Sequence, residues 1–337
     1  MYIKINNIYL QIINLEKLNI MLKNTPLIIL LLNFYIQVSA QNGSNTAETD
    51  TIIVVHKELA RRIIEEYENT DQLKSDLIPD YSKEWMVTDR PHVAETPILT
   101  PKNVLQIETG FQFQKSKTAF YKTDDLTYNT MLLRLGLSRR VEARFQLDYV
   151  GSKIQKRSND SLISNANGFS GLSVGSKVFL FNEHGIVPKG TLLYWVSLPF
   201  FGSKNFRTPY TTASEIEFLF LNKITHFYEL EYNLGIQWGG DTRNAAYAYA
   251  LNNEFSINRN FNFFIELYGY FYEKSNADDH FNGKYINDHR VNGGIWYLFN
   301  KDLQFDLSGG IGLSKVSPNY YFALGLSNRL SLKRKSK

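Results

Sequence analysis

The sequence contains no cysteine, which removes disulfides, thiolate metal sites and a lipid-modified N-terminal cysteine at once. It also lacks a long hydrophobic run. The best stretch is the thirteen residues from Pro26 to Val38, interrupted by Asn33 and Gln37, whereas a membrane-crossing helix needs about 20 apolar residues. Charge of one sign is scarce too. The net charge is +4 over 337 residues, and Lys and Arg are scattered, so nothing marks a nucleic-acid footprint. No Gly-rich phosphate loop, zinc-protease motif or heptad repeat occurs.

Aromatic side chains, by contrast, are abundant: 21 Tyr and 23 Phe, within a chain whose mean hydropathy is only −0.28. The combination suits a wall that is greasy on one face and polar on the other. From Leu105 to Gln114 the residues alternate, with Leu105, Ile107, Thr109, Phe111 and Phe113 against Gln106, Glu108, Gly110, Gln112 and Gln114. Met131, Leu133 and Leu135 then alternate with Arg134 and Gly136. After the turn at Arg139-Arg140, Val141, Ala143, Phe145, Leu147 and Tyr149 alternate with Glu142, Arg144, Gln146 and Asp148. A period of two is the mark of a two-faced strand. At about ten residues or more, such strands are long enough to cross a bilayer at a tilt.

The pattern repeats along the chain, with further strands expected at about 169–181, 191–200, 213–223, 227–238, 246–257, 261–272, 288–299, 302–315 and 320–332. That makes twelve, an even number. Tight connections at 139–140, 225–226, 258–260 and 300–302 alternate with expected longer loops, among them 116–127, 152–168, 201–212 and 273–287. The fold class is therefore all-β: a transmembrane antiparallel up-and-down barrel, with short periplasmic turns, longer outer loops and both termini in the periplasm.

Residues 1–40 read as a targeting region. Lys23, the apolar run and Val38-Ser39-Ala40 form a signal peptide with a small-residue cleavage site, so Met21 is a candidate start and the mature chain is expected to begin near Gln41. Residues 41–101 read as a periplasmic lead-in to a barrel of residues 102–337. Ile52, Leu59, Ile63 and Tyr67 suggest a short helix over 51–69, supported by Glu58/Arg62 and Arg62/Glu66 four apart. The stretch 70–101 has four prolines and little periodicity, so it is expected to be irregular, with a small plug inside the barrel as the alternative.

Chemistry-bearing motifs are few. Gly171-Leu172-Ser173-Val174-Gly175 has the spacing of a hydrolase nucleophile elbow, but it lies within an alternating strand with no helix after it, so it reads as wall. Asp278, Asp279, His280, Asp288 and His289 gather around one expected outer loop and could hold a divalent cation. A solvated acidic loop explains them as well, and no metal or other cofactor is assigned. The constellation that matters is the set of charges on the polar face. Glu215, Glu217, Glu229 and Glu231, with Glu254 and Glu266, form an acidic sector. Arg134, Arg144 and Lys177 form a basic one, and Glu108, Glu142, Asp148, Arg290 and Asp306 complete the lining. Such a wall could orient polar solutes, or its charges could pair across a filled interior.

Two stretches, Thr88 to Phe111 (TDRPHVAETPILTPKNVLQIETGF) and Leu132 to Tyr149 (LLRLGLSRRVEARFQLDY), resemble the opening of a Gram-negative family of outer-membrane barrels described as transporters or as "MetA-pathway of phenol degradation" proteins. The matching positions include Asp89, Arg90, Pro91, Pro101, Gln106, Glu108, Gly110, Arg134, Gly136, Arg140 and Glu142. The chain departs from the usual barrel pattern at its end, where Leu330-Ser331-Leu332 and a basic tail stand in place of a terminal aromatic. The resemblance implies no substrate and no functional residues. Together these readings predict a non-enzymatic outer-membrane transporter or channel for small, polar or aromatic solutes. Its expected partners are outer-membrane lipid, the solute and the barrel-assembly machinery, with the oligomeric state left open. A closed structural or assembly barrel is the alternative, and an outer-membrane lipid hydrolase a lesser one.

Overall fold

In the computed structural model the described residues are 2–5, 8–11, 84–206, 212–239, 242–273 and 285–332. The chain divides into two compact units, Met1–Leu77 and Ile78–Lys337. In the first, β1 (Tyr2–Ile5) and β2 (Ile8–Gln11) form an antiparallel hairpin with Tyr2 opposite Gln11. The expected signal at 21–40, the helix expected over 51–69 and the basic tail lie outside the described residues.

The second unit is a closed barrel of twelve antiparallel strands. In order they are β3 (Val104–Lys117), β4 (Tyr121–Gly136), β5 (Val141–Lys156), β6 (Leu162–Phe181), β7 (Lys189–Leu198), β8 (Ala213–Lys223), β9 (Tyr228–Gly239), β10 (Thr242–Ser256), β11 (Phe261–Glu273), β12 (Tyr285–Asn300), β13 (Leu303–Gly312) and β14 (Tyr320–Ser331). Each strand pairs with its neighbours in sequence, and β14 returns to β3 with Gly325 opposite Gly110, so no edge is left unpaired.

Alternation decides which way each side chain points. Phe145, Leu234, Ile265, Phe305, Leu324 and Leu326 remain between 38% and 57% exposed, while Arg134, Arg144 and Lys177 are fully buried. In a soluble sheet the greasy face would be the hidden one. The inversion is what a lipid-facing wall requires, because hydrocarbon solvates Leu and Phe and leaves charge to the interior. Stacked rings such as Tyr228–Phe255 and Phe255–Phe263 sit near the end with short turns, and Tyr128–Tyr149–Phe169 lie toward the other end. These two bands occupy the positions of interfacial girdles.

Two expected loops are largely strand. The segments 116–127 and 152–168 shrink to 118–120 and 157–161, because β4 starts at Tyr121 and β5 and β6 continue their pairing through Ile154 opposite Ser164. Backbone pairing goes on beyond the apolar belt, where the outward face no longer needs to be greasy, and the hydropathy signal fades before the ladder does. Bulges between Gly110 and Gln112, and between Thr127 and Asn129, re-aim side chains on β3 and β4.

The compact unit that holds the barrel spans Ile78–Lys337, its first strand starts at Val104, and residues 84–101 run inside the barrel. Their hydrogen bonds reach Glu108 on β3, Arg134 on β4, Glu142 on β5, Lys177 on β6, Thr191 on β7, Glu266 on β11 and Gln304 on β13. Only a segment within the ring can touch so much of its inner face. The lack of periodicity noted in the sequence has a simple cause: this chain has no repeating partner, so each polar group is satisfied singly by the wall.

Candidate functional site: the occupied lumen

The internal segment enters and leaves at the end with short turns. On entry, Arg329 donates to the Glu84 carbonyl at 2.7 Å, Arg259 stacks over Trp85, and the Met86 amide donates to the Lys301 carbonyl at 2.9 Å. On exit the Asn103 amide donates to the Gly136 carbonyl, and Asn103 takes the left-handed conformation (φ 59°) that Asn tolerates. Gly136 has no space for more than hydrogen, since a Cβ there would lie 2.0 Å from the Pro101 carbonyl oxygen.

Asp89 is the anchor of the segment. Its carboxylate meets three cations from the wall: Lys177 Nζ at 2.7 Å, Arg144 Nη1 at 2.7 Å and Arg134 Nη1 at 3.1 Å. Burial alone would raise the Asp89 carboxyl, but Arg134, Lys177 and Arg144 outweigh it and hold the group well below the usual carboxylate range. Around it, Glu142 accepts from Arg134 and Arg144, Glu108 accepts from Arg134, and Glu95 of the segment pairs with Arg144 and Lys177. Three cations thus face four carboxylates, two from the wall and two from the segment. Without the segment the wall would keep three cations against two acids.

Arg90 makes the second attachment. Its guanidinium reaches Asp306 at 3.1 and 3.3 Å and Thr130 at 3.2 Å. To do so it lies flat against the wall where Gly110 and Gly325 pair, and a Cβ on Gly325 would stand 2.2 Å from Arg90 Nε. Gly325→Ala should therefore expel the guanidinium and make the segment a better protease substrate, with Arg90→Ala giving the same result. Limited proteolysis of folded protein in detergent checks this, and equal resistance of both variants to wild type would rule it out.

His92 and the backbone beyond it make the third. The His92 Nδ1 faces the Ala94 carbonyl at 2.5 Å, and Nε2 faces Glu254 at 2.9 Å and Glu231 at 3.9 Å. Burial alone would lower the imidazole pKa, but Glu254, and then Glu231 and Glu266, raise it well above the ordinary value. Glu266 accepts from the amides of Val93 and Ala94 at 2.9 and 2.5 Å.

The lining residues named from the sequence fall into two groups. Glu108, Arg134, Glu142, Arg144, Lys177, Glu231, Glu254, Glu266 and Asp306 all touch the internal segment. The others stay within the wall. Asp148 accepts from the Met131 amide and Gln146, Glu215 accepts from Gln237, Glu229 pairs with Lys223, and Arg290 pairs with Asp288. Glu217 stands opposite Leu193 on β7 and Gly235 on β9. Of the expected loop cluster, Asp288 and His289 belong to β12, where Asp288 holds Arg290 and Ser317 and His289 contacts Tyr249. Asp278, Asp279 and His280 lie outside the described residues. Gly171 to Gly175 is part of β6, with Ser173 bonded to Ser197. The residues that the charge argument missed are Asp89, Arg90, His92 and Glu95. Their signal was a dense set of charges in a proline-rich stretch just before the first strand.

Above the segment lies a cavity of about 210 Å³, lined by Arg90, Val93, Gln112, Tyr268, Tyr270 and Arg290, among others. The Arg290 guanidinium lies 5.9 Å from the centre of each of the Tyr268 and Tyr270 rings.

Over residues 88–330, more than two thirds of the chain, the sequence matches the family described as "Putative MetA-pathway of phenol degradation". The chain belongs to that family. Among solved structures it is similar to the COG4313 outer membrane channel from Pseudomonas putida F1, with 10% identity, 71% of this chain and 100% of that chain covered, and a TM-score of 0.56. A weaker likeness is to the translocator domain of the autotransporter NalP from Neisseria meningitidis, at 13% identity, 67% and 88% coverage and a TM-score of 0.43. No curated protein matches the sequence. At 10% identity and a TM-score of 0.56, the likeness to the Pseudomonas putida channel establishes the barrel fold. The match begins at Thr88, so it takes in residues 88–101 of the internal segment as well as the barrel.

Proposed function

We propose that this family member is an outer-membrane channel for small solutes whose lumen is narrowed by its own residues 84–101. The observation that carries the reading is the kind of contact that anchors that segment at Asp89, Arg90 and His92, ion pairs and hydrogen bonds to a polar wall, with apolar packing added where Ala94 meets Ala250 and Tyr268. The barrel ladder closes through β14 and β3 without the segment, so its displacement would leave the wall intact. Single-channel recording in a planar bilayer tests the reading. Wild type should conduct in small steps, and the double variant Asp89→Asn/Arg90→Ala in larger ones. If neither conducts, the pairing of Arg134, Arg144 and Lys177 by the segment's Asp89 favours the second reading, a closed structural barrel.

The solute is proposed to be small, with polar or aromatic character, since tyrosines, amides and Arg290 line the cavity above the segment. Export through a signal peptide ending near Ala40, and periplasmic termini, belong to the same proposal, because the segment enters among the short turns. Ion preference should follow the acidic sector. Glu215 and Glu217 on β8 have no ion pair among the described residues shorter than 4.0 Å, and Glu217→Gln with Glu215→Gln should shift reversal potentials toward anions, most clearly at low salt. Unchanged selectivity in a conducting double variant would place these glutamates off the path.

A further inference from the structure

The His92 attachment has a geometry that the other two lack. Asp89 and Arg90 each find complete, opposite charge, but His92 brings one imidazole to three carboxylates, Glu231, Glu254 and Glu266, and among the described residues no Lys or Arg forms an ion pair with any of them. We propose that His92, Glu231 and Glu254 form a binding site for a divalent transition-metal cation of the zinc class, which would staple the internal segment to β9 and β10.

Four observations support it. First, the donor atoms of the three residues lie within 4.8 Å of one another. Two ligands held about 2.0–2.1 Å from a tetrahedral ion stand ~3.3 Å apart, and the observed separations from Nε2, 2.9 Å to Glu254 and 3.9 Å to Glu231, straddle that value. Second, the Nδ1 edge of His92 is turned to the Ala94 carbonyl at 2.5 Å, so a proton on Nδ1 leaves the Nε2 lone pair free for a metal, the orientation that a backbone carbonyl gives to metal-bound imidazole. Third, Asn252 is fully buried with its Nδ2 at 2.8 Å from Glu254 and 3.5 Å from Glu231, while its Oδ1 has no partner. The two ends of an amide have the same shape, so with a cation between the carboxylates the amide can turn and offer Oδ1 as a fourth ligand. Fourth, Asn233, two residues along β9 from Glu231 and 3% exposed, has both amide atoms buried without partners. A cation would also offset the excess acid, which is costly in a dry interior. The mixed imidazole and carboxylate set favours Zn²⁺ over Ca²⁺ or Mg²⁺, which prefer oxygen alone.

The rival occupant of Nε2 is a proton, giving an imidazolium paired with Glu254, and the two compete for one lone pair. The test uses full-length protein in detergent, stripped with a chelator and titrated with ZnCl₂ in a calorimeter, with CaCl₂ as control. The expected result is one Zn²⁺ per chain, no binding of Ca²⁺ at the same concentration, and at least tenfold weaker Zn²⁺ binding in both His92→Gln and Glu254→Gln. A second readout needs no variant. Acylation of His92 by diethylpyrocarbonate, followed by mass spectrometry, should be suppressed by Zn²⁺ in the wild-type protein. Absence of stoichiometric binding, binding that survives both substitutions, or acylation of His92 indifferent to Zn²⁺ would each overturn the proposal and leave the imidazolium pair in its place.

Discussion

Asp89→Ala is expected to release the internal segment. The substitution takes away the one carboxylate shared by Arg134, Arg144 and Lys177, all of them fully buried, and leaves three cations with Glu95, Glu108 and Glu142. Removing one partner from a buried ion pair typically destabilises by about 3–5 kcal/mol, because the remaining charge stays buried without its counter-ion. Here the system has an escape that a closed core lacks. The segment can withdraw and let water reach the cations. The predicted outcome is therefore a barrel that still folds and still resists heat in detergent, but whose residues 84–101 are cut by protease and whose conductance rises several-fold. A variant with wild-type protease resistance would show that Asp89 is not the anchor.

The same site fixes a pH dependence. Asp89 ionises well below its ordinary range in the folded protein, so its contribution is fully present above the unfolded carboxyl pKa of about 3.9 and is lost only as pH falls through the lower, folded value. The difference in conductance between wild type and Asp89→Asn should thus persist from neutral pH to about pH 4 and close only in stronger acid.

The barrel was legible in the sequence because its rule is repeated. Phe145 and Arg144, or Leu324 and Gly325, differ in solvent simply because they are neighbours on a strand, and a dozen repetitions of that alternation announce a closed wall. What repetition could not reveal was the partner of the polar face. Arg134, Arg144 and Lys177 were visible as a basic sector, but Asp89 lies 55 residues before Arg144 in a segment without periodicity, and no local pattern links the two. For the same reason His92 carried no signal of its own: its meaning comes from Glu231 and Glu254, which the closed ring brings within reach. The extents of β4 and β6 were under-read where pairing continues beyond lipid, since hydropathy reports the solvent of a side chain and not the hydrogen bonds of its backbone.

The largest effect on the barrel itself is expected from a charge placed on its outer face. Leu324 lies midway along β14, opposite Phe111 on β3 and Leu307 on β13, and is 38% exposed to the lipid side. Leu324→Arg should destabilise by about 2–4 kcal/mol, because near the midplane the guanidinium has neither water nor a counter-ion within reach. Leu135 shares the outward orientation but stands one residue from the end of β4, so Leu135→Arg falls near the interface, where the penalty drops to about 0–1 kcal/mol. Gln112→Arg supplies the opposite control. That residue lies across from Ala323 and lines the cavity above the internal segment, where water can solvate the new charge. Reversible unfolding in lipid vesicles should rank the three variants with Leu324→Arg far below the other two. If Gln112→Arg proved the most damaging, the faces would be reversed throughout, because a register slip of one residue turns every side chain on a strand to the other side.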